Sequence, residues 1–431
     1  FSMKILGIIT EYNPFHNGHQ IHLQESLDHS KADASICVMS GSFLQRGTPA
    51  LVNQWARTEM ALEQGVDLVV QLPLSYSLRS AEHFAFGSVK LLDATNIVDS
   101  LCFGSESGKI EPLQFLGELL AQEPLQLSKL IQKKLESNSS YPQARAAAVV
   151  EYIHNKKTEI SFSQQQIKKT LHNPNNILGI EYIKALTRLN SSITPLTIQR
   201  QGADYKAQHL EQVSSATAIR KQIKKHHNNN HPLITNQLQE TMPETTVDIL
   251  KKEFTSGRGP VYPQDLSKAL LAILRRNSKS ELKNYEDVRG GLENRIKKAA
   301  LNSSSWVELI NKIKTKRFTQ TRIQRILAQT LIDLKEQDLQ AFDQAGGPLY
   351  FRILGFNQQG QKLLHAIKEE GELPLISRVA NYFKTNYQPQ NLLQTMLHYD
   401  LQANNIYTVA APNSSWRQGN LDYRQAPIIK T

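Results

Sequence analysis

Short apolar runs alternate with stretches of helical period through the first 105 residues. Residues 4–9, 34–39, 68–72 and 100–103 are bounded by turn-forming residues and read as buried strands. Between them, residues 19–30, 54–64 and 79–94 place apolar side chains at helical spacing. This alternation predicts an α/β fold built on a doubly wound parallel sheet, with ligands bound beyond the carboxyl ends of the strands. His16, Ser40, Gly41 and Gly104 fall at those ends.

Residues 110–170 are polar and helical in period, and read as a helical insertion. The α/β pattern then resumes with a helix at 176–189, a strand at 194–199 and a helix at 216–225. The loop between holds Asp204 and Tyr205, which suit a turn cap better than a ligand contact. His226-His227-Asn228-Asn229-Asn230-His231-Pro232 is a polar boundary. Its three histidines lack the fixed spacing and carboxylate or cysteine support of a metal site, so it reads as a solvated linker. The chain therefore divides into residues 1–225 and a mainly helical region, 226–431. Within the latter, residues 312–334 set Ile323, Ile326, Leu327 and Leu331 on one helical face. Residues from Tyr407 onward suggest a short terminal strand.

Charge sharpens the division. The net charge of +11 separates into +3 for residues 1–230 and +8 for 231–431, so the second half suits a polyanionic partner. Lys314, Lys316, Arg317, Arg322 and Arg325 cluster before and along the 312–334 helix and are candidate contacts to RNA phosphates. Cys37 and Cys102 lie in apolar runs and form neither a metal spacing nor a disulfide framework, which points to a reducing cytoplasm. No apolar run has the length of a membrane span, and no signal peptide is visible. Phe1 and Ser2 precede Met3 and read as residues foreign to the natural start.

The chemistry concentrates in residues 8–19, where a strand runs through Glu11-Tyr12-Asn13-Pro14-Phe15 into His16-Asn17-Gly18-His19 and a helix. A strand, a glycine-containing loop and a helix N-terminus together cradle phosphate, because unpaired N–H groups point at the anion. Gly18 gives backbone room, and His16 and His19 add donors, neutral or charged, that can follow charge building on an α-phosphate. An isolated His-x-Gly-His string fits a capped loop with two structural histidines equally well. A second cluster shifts the balance: Ser214-Ser215-Ala216-Thr217-Ala218-Ile219-Arg220 opens a helix. There Ser214 or Ser215 can serve as N-cap, and Ser215, Thr217 and Arg220 suit β- and γ-phosphates.

Together these two motifs resemble the nucleotidyltransferase superfamily of adenylyltransferases and class I aminoacyl-tRNA synthetases. Further stretches resemble one family within it, the bacterial tRNA(Met) cytidine acetate ligases. These are the 11–19 lead-in, Met39 to Gly47, Trp55 to Ala61, Phe103 to Glu106 and Pro174 to Tyr182. The resemblance implies a two-step reaction. Acetate attacks the α-phosphate of Mg2+-bound ATP, giving acetyl-adenylate and pyrophosphate, and the acetyl group passes to N4 of the wobble cytidine of elongator tRNA(Met). No metal ligand from protein side chains is implied. His16 and His19 become catalytic candidates. The ATP cradle would be the backbone of Ile9, Thr10, Glu11, Tyr12, Asn13, Pro14, Phe15, His16, Asn17, Gly18, His19 and Gln20. Gly104 would leave room under the base or ribose, Asn175 (or Asn176) would bond adenine or ribose, and Arg200 would touch ATP.

For acetate, the loop after the second strand offers Phe43 as an apolar wall and Arg46 or loop amides as the anion contact. Arg57 and Glu59 read as internal ion pairs that hold this loop. Two alternatives stay open: an adenylyltransferase acting on a small phosphorylated metabolite, and a non-catalytic RNA-binding protein with a vestigial nucleotide site. A synthetase is disfavoured, because no KMSKS-like lysine loop follows the core.

Overall fold

The computed structural model describes residues 3–136, 140–156, 162–200, 215–228, 232–384 and 388–431. Five parallel strands form its centre: β1 (Ile5–Thr10), β2 (Ala34–Ser40), β3 (Leu68–Leu72), β4 (Ser100–Ser105) and β5 (Thr194–Gln199). They lie in the order β5-β4-β1-β2-β3, the doubly wound arrangement that the alternation predicts. The central strands are buried on both faces, with Ile5, Leu6, Ile8, Ile36 and Cys37 fully enclosed, which is why they read as unbroken apolar runs. Aspartates satisfy the amides where strands begin: Lys4 N donates to Asp33, Ile5 N to Asp99 and Ser35 N to Asp67, at 2.7–2.8 Å.

The second half joins the same sheet. Strand β6 (Phe351–Phe356) pairs antiparallel with β3, and the short strands β7 (Leu375–Ile376) and β8 (Ile428–Ile429) both pair with β6. The 351–356 run sits among helices, and sequence reading leaves it unassigned. Phe351, Ile353 and Leu354 are nearly inaccessible there, each contributing about 1.5–3 kcal/mol of burial. Helix Ala216–Asn228 runs across the boundary expected at 225/226 and takes in His226 and His227, while Asn229 to His231 lie outside the described residues. The 110–170 segment is helical in its described parts. The terminal strand is Ile428–Ile429 and does not start at Tyr407. Tyr407 belongs to helix Leu392–Val409 and donates its hydroxyl to Ala50 O at 3.1 Å.

Buried polar contacts clamp the halves together. Arg79, 3 % exposed, forks onto Glu286 (2.6 Å) and Asp343 (2.8 Å). Leu74 N donates to Asp400, and Gln329 Nε2 donates to Leu78 O.

Candidate functional site

Helix α1 (Asn17–Ser30) begins two residues earlier than its apolar period suggests, and the reason is its cap. His16 is the N-cap in extended conformation. Its Nδ1 accepts from Gly18 N (3.0 Å), while His19 Nδ1 accepts from His16 N (3.3 Å), closing a capping box built from two histidines. Gly18 is thus the second helical residue, and the positive φ in the loop belongs to Tyr12. Because both Nδ1 atoms accept, each ring carries its proton on Nε2, the end left for a ligand.

The two rings stack with centroids 3.8 Å apart. Burial, with help from the charges of Arg200 and Arg220, lowers His16 to about 4. Burial and the neighbouring His16 hold His19 well below the usual histidine range. Both are therefore neutral donors at pH 7, not imidazolium ions.

The side chains of Tyr12, Asn13, Pro14 and Phe15 pack inward, so this part of the cradle offers backbone only. Tyr12 and Phe15 wall the His19 ring at 5.0 and 5.5 Å. Asn13 Oδ1 accepts from Leu51 N, and Asn13 O accepts from Arg220 Nη1 at 2.5 Å. Arg220 also donates to Thr217 Oγ1 (3.2 Å), and Ser215 Oγ caps its helix by accepting from Ala218 N. The cluster expected to hold the departing phosphates therefore sits against the histidine loop. Ser214, Asp204 and Tyr205 lie outside the described residues. Ile9, Thr10 and Glu11 are half-buried and Gln20 is exposed. Asn17 donates to Glu240 O (2.8 Å), which braces the loop from the second half.

A third group closes the other end. A methyl group added at Gly104 would lie 2.7 Å from Arg200 Cγ and 3.5 Å from His22 Cδ2, so Gly104 makes room for Arg200 over the strand end. Arg200 Nη1 donates to Asn175 Oδ1 (2.9 Å), and Asn175 Nδ2 donates to Glu106 Oε1 (2.9 Å). Glu106 also takes the N–H groups of Asn175 and Asn176 at the start of helix Pro174–Leu189. Asn173, not Asn175, is the N-cap, and Asn176 Oδ1 accepts from Glu106 N. Sequence reading missed Glu106 as a member of this network. It also missed His22, lowered to about 4 by burial and by Arg200. His22 follows His19 by three positions, the spacing that puts both on one helix face.

The acetate assignments fare differently. Phe43 is 1 % exposed and packs in the core. Arg46 is exposed, and its charge acts on Arg220. The adjoining Gly47 (φ +79°) abuts a second-half helix, Gln320–Ile332: a methyl there would fall 2.3 Å from Arg325 N. Arg57 forms no carboxylate pair among the described residues. It donates instead to the carbonyls of Val52 (3.3 Å), Glu11 (2.7 Å), Ser40 (3.0 Å) and Gly41. Glu59 pairs loosely with Lys252 at 3.8 Å.

Of the five basic candidates, Lys314, Lys316 and Arg317 are exposed. Arg322 is held by Asp287 O (2.8 Å), and Arg325 is half-buried. Among the described residues, no group of three or more His, Cys, Asp or Glu side chains gathers as a metal site, and no helix is long and apolar enough to cross a membrane. Cys37 and Cys102 are buried thiols, pushed up to about 12 and about 11 by burial, and offer no nucleophile.

Comparison with known proteins agrees over the whole chain. Residues 3–422 match the HIGH Nucleotidyl Transferase family. A protein of Halothermothrix orenii, "tRNA(Met) cytidine acetate ligase", is 44% identical over 430 residues, covering 99% of this chain and 100% of its own length. The Acetivibrio thermocellus protein of the same name is 42% identical over 428 residues, with the same coverage of both. The crystal structure of Thermotoga maritima TmcAL bound with alpha-thio ATP superposes with a TM-score of 0.90 at 34% identity, covering 99% of each chain. The chain belongs to the HIGH nucleotidyl transferase family and, within it, to the family of the tRNA(Met) cytidine acetate ligases.

Proposed function

We propose that the chain is an ATP-dependent tRNA(Met) cytidine acetate ligase of the cytoplasm. The observation that carries this reading is the pair of stacked, neutral histidines at a helix N-terminus, with Arg220 bound to the same loop. ATP lies across the strand ends, its base and ribose toward Gly104, Asn175 and Arg200. His16 and His19 direct Nε2–H donors at the α-phosphate, and Ser215, Thr217 and Arg220 receive the pyrophosphate. Mg2+ enters with the triphosphate.

An acetate oxygen forms a bond to the α-phosphorus while the bond to the bridging oxygen breaks and its electron pair leaves with pyrophosphate. N4 of the cytidine then attacks the acetyl carbonyl, AMP departs, and the amine proton is released. Neutral imidazoles suit the first step. They lend hydrogen bonds that strengthen as charge builds, without pairing permanently with ground-state phosphate. The second half presents Lys314, Lys316 and Arg317 to the tRNA.

The deciding experiment is mass analysis of nucleosides from elongator tRNA(Met) treated with the protein, ATP and labelled acetate. N4-acetylcytidine carrying the label supports the ligase. AMP left on a metabolite supports the small-molecule adenylyltransferase, and RNA binding without ATP turnover supports the vestigial-site alternative. His16→Ala should abolish labelling while keeping most tRNA affinity.

A further inference from the structure

On the β2–β3 side of the site, several side-chain atoms are buried without a hydrogen-bond partner. Among them are both amide atoms of Gln54, Oε1 of Gln71, and Nε and Nη1 of Arg352. They share one neighbourhood. Gln71 and Arg352 are directly paired across the β3–β6 ladder, which puts their side chains on one face of the sheet. Gln54 opens helix α2 (Gln54–Glu63), which packs on that face against Val69 and Leu354. A methyl group on Gly41 would lie 3.0 Å from Gln54 Oε1 and 3.0 Å from Gln71 Nε2, so both amides converge on the Gly41 backbone. Gln54 is 0 %, Gln71 2 % and Arg352 2 % exposed.

Few buried polar groups go unpaired in native proteins, and three of these are donors, Gln54 Nε2 with Arg352 Nε and Nη1, which point to a ligand that accepts hydrogen bonds. Charge indicates its kind. Arg57, one turn along α2 from Gln54, is fully enclosed and donates only to carbonyl oxygens, Gly41 O among them. A buried guanidinium without a carboxylate partner favours an incoming anion. Arg352 spends Nη2 on Asp422 (3.2 Å), which leaves its other donors uncommitted. Each glutamine can turn its amide to present N–H.

Position agrees with chemistry. Arg57 Nη1 bridges Ser40 O and Glu11 O, so the cluster is one guanidinium away from the loop carrying His16 and His19. It lies across β1 from Gly104, Asn175 and Arg200, as in-line attack on the α-phosphorus requires.

We propose that Gln54, Gln71 and Arg352, around Gly41 and beside Arg57, form the pocket for the acetate carboxylate; this rests on the ligase reading. A pair of amides could also read a cytosine edge. These side chains are too enclosed for a base still joined to a polynucleotide, whereas a two-carbon acid needs only the two amides, each the far end of a flexible side chain, to swing away from the Gly41 backbone.

The test varies labelled acetate at saturating ATP and tRNA for Gln54→Met and Gln71→Met. Acetate KM should rise at least about tenfold while ATP KM stays within about twofold. The wild type gives a second readout that needs no variant: propionate competes weakly with acetate and butyrate does not. An unchanged acetate KM in both variants, a tRNA KM that rises instead, or butyrate competing as well as propionate overturns the assignment. Wild-type protein that incorporates no acetate overturns the ligase reading itself.

Discussion

Adding one methyl group at Gly104 perturbs the nucleotide end of the site without touching a charged or catalytic atom. In Gly104→Ala the new carbon would sit 2.7 Å from Arg200 Cγ and 3.2 Å from Cδ, well inside the ~3.5–4.0 Å of a comfortable carbon contact. Gly104 lies in strand β4 with no positive φ, so the backbone accepts alanine and the clash falls on the Arg200 stem. When that stem swings away, the 2.9 Å bond from Nη1 to Asn175 Oδ1 breaks, and the Glu106–Asn175–Arg200 chain loses its outer member. A charge-assisted hydrogen bond contributes about 1.5–3 kcal/mol when buried. Arg200 is exposed, so the lower end applies, and a displaced contact to the bound nucleotide adds about 1 kcal/mol. The sum of about 2–2.5 kcal/mol raises ATP KM by roughly 30- to 70-fold. Initial rates of tRNA acetylation with ATP varied would measure it, while thermal unfolding should move little. Arg200→Ala should give a loss of similar size, and the double variant should be no worse than either alone. Two losses that add independently would refute the claim that Gly104 acts through Arg200.

Three further outcomes follow from the geometry. His16 titrates near 4 in the fold and near 6.5 when unfolded, so the unfolded chain binds the extra proton between those values. Its contribution, up to about 3 kcal/mol, is fully present above pH ~6.5 and fades as pH falls toward 4; denaturant midpoints across that range would show a fall on acidification. Arg79→Met should cost about 2 kcal/mol, discounted for the partly exposed Glu286 and Asp343, and lower Tm by several degrees with ATP KM unchanged. Lys316→Glu with Arg317→Glu should weaken tRNA binding about tenfold or more and shallow the salt dependence by about two phosphate contacts, whereas Arg322→Ala should chiefly lower stability.

The strands β1 to β4 were legible because a parallel strand buried on both faces leaves an unmistakable apolar run, whereas β5 is a half-exposed edge strand; the ends of all five agree with the expectation to within two residues. The loop of His16 and His19 was legible as a strand–loop–helix junction, but its electrostatics were not. Neutrality comes from burial and from Arg200, which lies 181 residues away from His19 in the chain. Arg57 shows the limit of pairing by residue type. A buried arginine suggests a carboxylate, yet its partners are carbonyl oxygens, which every residue carries and no pattern marks. Loop position did not say which way Phe43 and Arg46 turn: the first packs into the core and the second is exposed. Gln54 and Gln71 left no trace, since glutamines on a helix and in a strand read as ordinary polar positions. Strand β6 escaped because its partner lies almost 300 residues earlier in the chain.

That distance has a bearing on biosynthesis. During translation the hydrogen-bonding edge of β3 emerges early, and its cover, Phe351–Phe356, is made only after most of the chain has left the ribosome. Until then Leu68–Leu72 presents an apolar, uncharged rim open to any extended peptide, the situation that invites intermolecular pairing. Fragments ending before residue 350 should therefore precipitate or require a chaperone, even though they contain every residue of the histidine loop. The nucleotide end of this enzyme is written first, but it becomes a stable object only when the last quarter of the message has been read.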